Sequence, residues 1–280
     1  MIISGRAKLA GVIGWPVAHS RSPRLHGYWL ERYRIDGAHV PLAVPPSHVA
    51  QTLRLLATIG FRGVNVTVPH KEAALAAVDV VDVNARRIGA VNTVIIGTDG
   101  SLKGLNTDAD GFLSHLKASA PAWRGAGTTA VVIGAGGAAR AVVAALIDAG
   151  VAEIRLVNRT RERAEELAMS FNGPTRVLPW LARHSALEGA HLLVNTTTLG
   201  MSGQPGLDLD LAALPAGAAV FDCVYAPLET SLLASARARG LTAVDGLGML
   251  IHQARPGFAA WFGVEPEIDE GLRRFLMEGL

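Results

Sequence analysis

The stretch Thr129-Ala130-Val131-Val132-Ile133-Gly134-Ala135-Gly136-Gly137-Ala138-Ala139 decides the fold of this chain. Its first five residues form a short apolar run typical of a buried strand, and a helical pattern over 140–149 follows the glycines. Glycines at such a turn let the backbone bend sharply and approach a pyrophosphate, whose charge the helix N-terminus meets. The stretch therefore predicts a dinucleotide site, with a turn that binds no ligand as the alternative.

Outward from this turn, strands and helices alternate regularly along the second half of the chain. Apolar runs predict six strands, near 128–133, 153–157, 176–178, 191–195, 218–221 and 241–244. Six strands separated by helical patterns fit a doubly wound nucleotide-binding domain of the Rossmann type. One helix is expected to run from Thr230 to a cap at Gly240, and another to begin after Gly248.

The end of the second of these strands decides which dinucleotide is expected. In NAD-binding domains this end usually carries an acidic residue that holds the ribose hydroxyls. Here it reads Val157-Asn158-Arg159-Thr160, and Arg163 follows one helical turn later. Two guanidinium groups suit a 2′-phosphate, so the sequence predicts NADP. The alternative is that these arginines are solvated charges that pair with Glu162, Glu165 and Glu166.

The first third of the chain also alternates strands with helices. Strands are expected near 9–13, 38–42, 63–68 and 91–96, which predicts a second, mainly parallel sheet. Ser22 is the expected N-cap of a helix that has Pro23 at its first position. The polar stretch 104–110 is the candidate connection to the nucleotide domain. Two C-terminal helices have no following strand, so we expect them to return to the first domain. The predicted α/β architecture therefore has one domain at 1–108 with 250–280 and another at 109–249.

Several polar residues of the first domain stand where a ligand could bind. Ser20 and Ser22 place two hydroxyls at a helix start, which suits a carboxylate. Asn65 and Thr67 share one strand face, and hydrogen bonding to neighbouring loops explains them equally well. Lys71 falls in the first turn of a helix, against the helix dipole, which hints at an acid–base role; a surface lysine paired with Glu72 is the simpler reading. Asp108 begins the next helix, as a cap or as a site residue.

Taken together, these residues resemble the shikimate dehydrogenase family over nearly the full length. The matching stretches are Gly14-Trp15-Pro16-Val17-Ala18-His19-Ser20-Arg21-Ser22-Pro23, Asn65-Val66-Thr67-Val68-Pro69-His70-Lys71-Glu72, Gly89-Ala90-Val91-Asn92-Thr93, Asn106-Thr107-Asp108, the glycine turn, Asn158-Arg159-Thr160, and Asp245-Gly246-Leu247-Gly248-Met249-Leu250 with Gln253. The chain differs from the usual family pattern at three places. His70 stands where relatives often carry phenylalanine, Asn195-Thr196-Thr197-Thr198 replaces the common Asn-Ala-Thr-Ser, and Cys223 stands where many relatives carry methionine.

The resemblance implies a role for each matching residue. Lys71 and Asp108 would be the catalytic pair. Substrate contacts would come from Ser20, Ser22, Asn65, Thr67, Lys71, Asn92, Asp108, Tyr225 and Gln253. NADP contacts would come from Gly134, Ala135, Gly136, Gly137, Ala138, Asn158, Arg159, Thr160, Arg163, Cys223 and Gly246. The implied reaction is the reversible reduction of 3-dehydroshikimate to shikimate with NADPH, in the biosynthesis of chorismate and aromatic amino acids. A quinate enzyme using NAD, an aminoshikimate enzyme and a non-catalytic dinucleotide-binding regulator are the alternatives.

Composition narrows the class of protein further. The 280 residues are 50% hydrophobic and 18% charged with a formal net charge of +2, so the chain is neither disordered nor strongly basic. We expect a small-molecule substrate and neither nucleic acid nor a membrane as partner. No metal-ligand spacing occurs among the nine histidines, and Cys223 is the single cysteine, which suits a reducing compartment and predicts the cytoplasm. The sequence leaves a monomer and a homodimer open.

Overall fold

The computed structural model describes residues 2–278, which divide into two compact units. The first contains residues 2–108 and 250–278, and the second contains residues 109–249. Each unit is built around its own six-stranded sheet with helices packed against it. This is the predicted α/β class, in which each sheet buries its apolar faces under helices.

The first sheet is mixed, with one antiparallel strand in its interior. Its strands are β1 (Lys8–Gly14), β2 (Gly37–Ala43), β3 (Phe61–Val66), β4 (Val80–Val81), β5 (Thr93–Ile96) and β6 (Leu102–Leu105). They lie in the order β2-β1-β3-β5-β6-β4. β5 runs antiparallel to β3 and β6, and the remaining neighbours pair in parallel. A tight turn at Asp99-Gly100 joins β5 to β6, and the Gly100 N–H donates to the Gly97 carbonyl at 3.0 Å.

The second sheet is entirely parallel. Its strands are β7 (Thr129–Ile133), β8 (Glu153–Val157), β9 (Thr175–Leu178), β10 (Leu192–Asn195), β11 (Ala219–Asp222) and β12 (Thr242–Val244). Their order, β12-β11-β10-β7-β8-β9, is that of a doubly wound dinucleotide-binding domain, so the predicted Rossmann topology is confirmed. Buried side chains such as Val131, Leu193 and Val220 form the core on one face of the sheet.

Helices cover both sheets. In chain order the described helices are α1 (Ser22–Arg32), α2 (Val49–Thr58), α3 (Lys71–Ala77), α4 (Val83–Ile88), α5 (Asp108–Ser119), α6 (Gly137–Asp148), α7 (Arg161–Ser170), α8 (Ser231–Ala238), α9 (Gly246–Phe262) and α10 (Glu270–Met277). Short 3₁₀ turns lie at Pro46–His48, Trp180–Ala182 and Ser185–Leu187. In the first unit, Trp29 of α1 packs against Phe258 of α9 with ring centroids 5.2 Å apart.

Several local predictions need correction. Arg21, not Ser22, is the N-cap of α1, because the Ser20 hydroxyl accepts the Ser22 N–H and so organises the turn one step earlier. α9 begins at Gly246 rather than after Gly248, since Asp245 Oδ1 accepts the Leu247 N–H. β3 ends at Val66, before the predicted 68. Part of the predicted polar connection 104–110 belongs to β6, and the two-residue β4 is also absent from the prediction.

None of the helices that the structure describes is long and apolar enough to cross a membrane. The described residues also contain no group of three or more His, Cys, Asp or Glu side chains placed to hold a metal ion.

Candidate active site

Lys71 owes its position to the way α3 starts. The chain leaves β3 at Val66, and the ring Nε2 of the buried His70 hydrogen-bonds the Val44 carbonyl at 2.7 Å. The Val91 N–H donates to the Lys71 carbonyl at 2.9 Å. These contacts fix both sides of the first residue of α3, and the Lys71 side chain is only 14% exposed. The amine is therefore largely shielded from bulk water.

The Lys71 amine forms an ion pair with Asp108. Its Nζ donates to Asp108 Oδ2, and the aspartate side chain is 6% exposed. Asp108 is the first residue of α5, where the positive end of the helix dipole favours a carboxylate. The Asp108 N–H donates to Asn106 Oδ1 at 3.0 Å, and this bond orders the turn into the helix. The pair joins a proton donor to a buried anion that orients it.

Asn92 and Gln253 complete this cluster. Asn92 Nδ2 donates to Asp108 Oδ1 at 2.8 Å and also lies 3.2 Å from Gln253 Oε1. Thr107 Oγ1 donates to the Gln253 carbonyl at 2.7 Å, which ties α9 to the turn before α5. The structure thus brings together four residues that are separate in sequence. Their donors and acceptors suit a ligand with several hydroxyl groups.

Ser20 and Ser22 lie at the start of α1, as expected. Ser22 is buried, and its N–H donates to Ser20 Oγ at 3.3 Å. The Ser20 N–H donates to the Val17 carbonyl at 2.9 Å, so the hydroxyl is held on an ordered turn. The two hydroxyls are neighbours at a helix N-terminus, a geometry that suits a carboxylate.

Asn65 is more deeply embedded than the sequence indicates. It is 4% exposed, its Oδ1 lies 3.3 Å from His39 Nε2, and its Nδ2 donates to Thr93 Oγ1 at 3.4 Å. Thr67 lies beyond the end of β3 and is half-buried. The predicted alternation therefore ends in a loop at Thr67. His39 was not predicted, because it lies 26 residues away on β2.

The glycine turn has the shape that a pyrophosphate requires. Gly134 has φ +113°, and a Cβ there would lie 2.5 Å from Thr196 Oγ1, so no other residue fits. A Cβ at Gly136 would meet nothing within 4 Å, which leaves open space at the start of α6. Gly136 is the N-cap of that helix and supplies no side-chain cap. The first N–H groups of α6 thus suit an anion.

The turn after β8 fits a phosphorylated ribose. Asn158 Nδ2 donates to the Thr160 carbonyl at 2.7 Å and orders the turn, and Thr160 is the N-cap of α7. Arg159 and Arg163 are exposed, and neither has an ion pair within the described chain. Of the three glutamates named as alternative partners, Glu165 forms an ion pair with Arg161 at 2.7 Å. Two guanidinium groups therefore stay available for a phosphate.

Comparison with known proteins decides the family. Residues 12–94 match the shikimate dehydrogenase substrate binding domain, and residues 118–199 match shikimate / quinate 5-dehydrogenase. The shikimate dehydrogenase (NADP(+)) of Paramagnetospirillum magneticum is 61% identical over 98% of this chain and 100% of its own length. The chain belongs to the shikimate dehydrogenase family.

Solved structures of this family superpose over nearly the whole chain. The shikimate 5-dehydrogenase of Thermus thermophilus, in complex with NADP(H) and shikimate, is 40% identical with a TM-score of 0.85, covering 98% of this chain and 100% of that one. A quinate dehydrogenase of Corynebacterium glutamicum in complex with NAD is 31% identical with a TM-score of 0.87, covering 96% and 97%. The fold alone therefore does not distinguish a shikimate dehydrogenase from a quinate dehydrogenase, and the distinction depends on the residues of the site.

The remaining residues that the shikimate dehydrogenase resemblance implies lie in the second unit. Cys223 follows β11, and its Sγ lies 4.0 Å from Met249 Sδ. A Cβ at Gly246 would lie 2.3 Å from the Cys223 carbonyl oxygen, so this close approach requires glycine. Tyr225 is half-buried in the same loop. Contact of these residues with cofactor or substrate stays a prediction.

Proposed function

We propose that this chain catalyses the reversible reduction of 3-dehydroshikimate to shikimate with NADPH. It is an NADP-dependent oxidoreductase of the shikimate dehydrogenase family. The observation that carries the proposal is the buried Lys71–Asp108 pair, held by Asn92 beside Gln253. A binding protein without catalysis has no need of a shielded amine oriented by a carboxylate.

The residues of the glycine turn and of the β8 turn fit the dinucleotide. Gly134 to Ala138 would hold its pyrophosphate and Arg159 with Arg163 its 2′-phosphate, while Asn158 and Thr160 shape the turn. Cys223 and Gly246 would line the nicotinamide. When bound, NADPH supplies the hydride of the reduction. The chain then has to orient the substrate and handle one proton.

Residues of the first unit, together with Tyr225 of the second, perform those two tasks in the proposed mechanism. Ser20 and Ser22 bind the substrate carboxylate, while Asn65, Thr67, Asn92, Tyr225 and Gln253 bind its hydroxyl groups and fix the ring. Lys71 Nζ donates a proton to the oxygen that forms from the ketone, and in the reverse direction it accepts that proton. Asp108 holds the amine in place. Fixing the orientation of the substrate lowers the barrier to reaction, and general acid–base catalysis alone raises the rate by about 10²–10⁴-fold.

The main competing activity is oxidation of quinate with NAD, which the C. glutamicum neighbour represents. The absence of a carboxylate after Val157 and the two available arginines favour NADP over NAD. Initial rates with shikimate and quinate, each with NADP and with NAD, separate the cases. We expect the highest kcat/KM for shikimate with NADP. A higher kcat/KM for quinate with NAD overturns the assignment. Rates measured with aminoshikimate as substrate test whether the chain is an aminoshikimate dehydrogenase.

The cytoplasm stays the proposed location, and the small-molecule ligands are the proposed partners. Sedimentation of the purified protein distinguishes the monomer from the homodimer.

A further inference from the structure

A buried carboxylate lies at the carboxyl end of the second sheet and is not among the proposed substrate or cofactor contacts. Asp222 is the last residue of β11, and Asn195, the last residue of β10, pairs with it in register. Both side chains are fully buried. Within the described chain no Lys, Arg or His forms an ion pair with Asp222. In doubly wound sheets, this end of the strands faces the nucleotide.

Asn195 links the carboxylate to the loop that follows β10. Its Nδ2 donates to Asp222 Oδ1 at 2.9 Å and to the Leu199 carbonyl at 3.1 Å. Its Oδ1 accepts from the Thr197 N–H at 3.1 Å and from the Thr197 hydroxyl at 2.7 Å. Every hydrogen-bonding position of the amide is therefore used, and the amide can hold only one orientation.

This loop lies directly against the glycine turn. The Thr196 N–H and hydroxyl both donate to the Ile133 carbonyl, at 2.9 and 2.7 Å. The same hydroxyl oxygen occupies the space that a Cβ at Gly134 would need. A shift of residues 196–199 would therefore move the side chain that packs against Gly134, the first residue of the glycine turn.

Asp222 also orders the loop after its own strand. Its Oδ1 accepts the Val224 N–H at 3.0 Å, and the Cys223 N–H donates to the Asn195 carbonyl at 2.9 Å. Its other oxygen, Oδ2, accepts from the Thr230 hydroxyl at 2.7 Å, and Thr230 caps α8. The two oxygens thus serve different elements: Oδ1 serves the loops after β10 and β11, and Oδ2 serves the start of α8.

The geometry points to Asp222 as a positioning residue for the nucleotide, which fixes the loops after β10 and β11 on the two sides of the cofactor site. This inference rests on the proposed function, because it takes Gly134 and Cys223 as cofactor contacts. Burial raises the pKa of Asp222 to about 6, so an ionised carboxylate is costly here. Replacing a buried polar group together with its partners by apolar residues can be nearly neutral for stability, so stability alone does not require this carboxylate.

The test compares variants at the two oxygens. Asp222→Ala removes both sets of bonds, whereas Thr230→Val removes only the bond to Oδ2 together with the α8 cap. NADPH binding is followed by nucleotide fluorescence without substrate, and thermal unfolding is measured in parallel. We expect Asp222→Ala to raise the NADPH Kd and the KM for NADP about tenfold, with the shikimate KM nearly unchanged. Thr230→Val should lower the Tm and leave the NADPH Kd near that of the wild type.

Two further variants keep the test decisive if Asp222→Ala folds poorly. Asp222→Asn retains an acceptor for Asn195 and Val224, so it should restore most of the NADPH affinity. Asn195→Ala breaks the link to residues 196–199 and should weaken NADPH binding as Asp222→Ala does. If the NADPH Kd of all variants follows only the lost stability, Asp222 is merely structural and the inference is wrong.

The wild-type control separates this failure from that of the proposed function. A wild type that binds no NADPH overturns the proposed function and the inference with it. Equal NADPH binding by the wild type and Asp222→Ala overturns the inference alone.

Discussion

Lys71 occupies a position that local rules disfavour. A cation in the first turn of a helix costs about 0.3–1 kcal/mol when exposed, because it opposes the helix dipole. The Asp108 carboxylate offsets this cost through the ion pair, and Asn92 holds the other carboxylate oxygen at 2.8 Å. The amine is therefore held at one place instead of moving freely in solvent. An amine held in this way is suited to stabilising the transition state rather than to raising the affinity for the substrate.

Replacing Lys71 by Ala should lower kcat by about 10²–10⁴-fold with a small change in KM, because the lost interaction belongs to the transition state. Steady-state kinetics with shikimate and NADP measures both constants. Lys103→Ala, on the exposed face of β6, is the matched control and should behave as the wild type. A near-normal kcat for Lys71→Ala would remove this residue from the mechanism.

At the scale of elements, the turn between β7 and α6 contains two glycines that are needed for different reasons. Gly134 is required by the protein itself, since its φ is +113° and Thr196 leaves no room for a Cβ. Gly136 is extended, with φ −95° and open space beside it, so the folded chain alone tolerates a larger residue. Only an approaching ligand makes the second glycine necessary.

Gly136→Ala should therefore keep the wild-type Tm while weakening NADPH binding at least about tenfold, because its methyl group enters the space expected for the pyrophosphate. Gly134→Ala should lower both the Tm and NADPH affinity. Calorimetric unfolding and fluorescence titration of NADPH measure the two effects. Unchanged NADPH affinity in Gly136→Ala would contradict a pyrophosphate at this turn.

Elements with long apolar runs were predicted within one or two residues of their observed ends. β7 is an example, because burial on both faces of the strand leaves a clear apolar signal. β4 has only two residues, and Lys103-Gly104 interrupts β6, so neither shows such a run. Contacts between distant residues have no local signal, which is why the bond from His39 to Asn65 could not be predicted.

At the scale of the whole molecule, the two units carry opposite kinds of buried titratable group. In the first unit, His26 and His39 stack with ring centroids 4.0 Å apart. Burial lowers the pKa of His39 to about 3 and that of His26 well below its ordinary value of 6.5. In the second unit, burial raises the pKa of Asp222 to about 6. The first unit therefore folds with neutral rings, and the second with a carboxyl group that readily takes up a proton.

Acidification from pH 6.5 to 5 should destabilise the first unit and stabilise the second. Below about pH 6.5 both histidines take up a proton in the unfolded chain but stay neutral in the folded unit. Each histidine therefore lowers the free energy of unfolding by about 1.4 kcal/mol for every pH unit of acidification. Asp222 has the opposite effect on the free energy of unfolding, because its carboxylate takes up a proton at a higher pH in the folded unit than in the unfolded chain. Hydrogen exchange, corrected for intrinsic rates, resolves the two units. His39→Phe should flatten the pH dependence of the first unit, and an unaltered slope would contradict this account.

The course of α9 affects the order in which the chain can fold during synthesis. This helix begins in the second unit and ends in the first, where Trp261 Nε1 donates to the Val94 carbonyl at 3.1 Å and Lys8 Nζ donates to the Phe262 carbonyl at 3.1 Å. On the ribosome, the first sheet and α1 to α4 emerge long before α9, which completes the cover of this sheet. The second unit is continuous in sequence, so we expect it to fold first. Until α9 emerges, part of one face of the N-terminal sheet stays uncovered, and chaperones can recognise this surface.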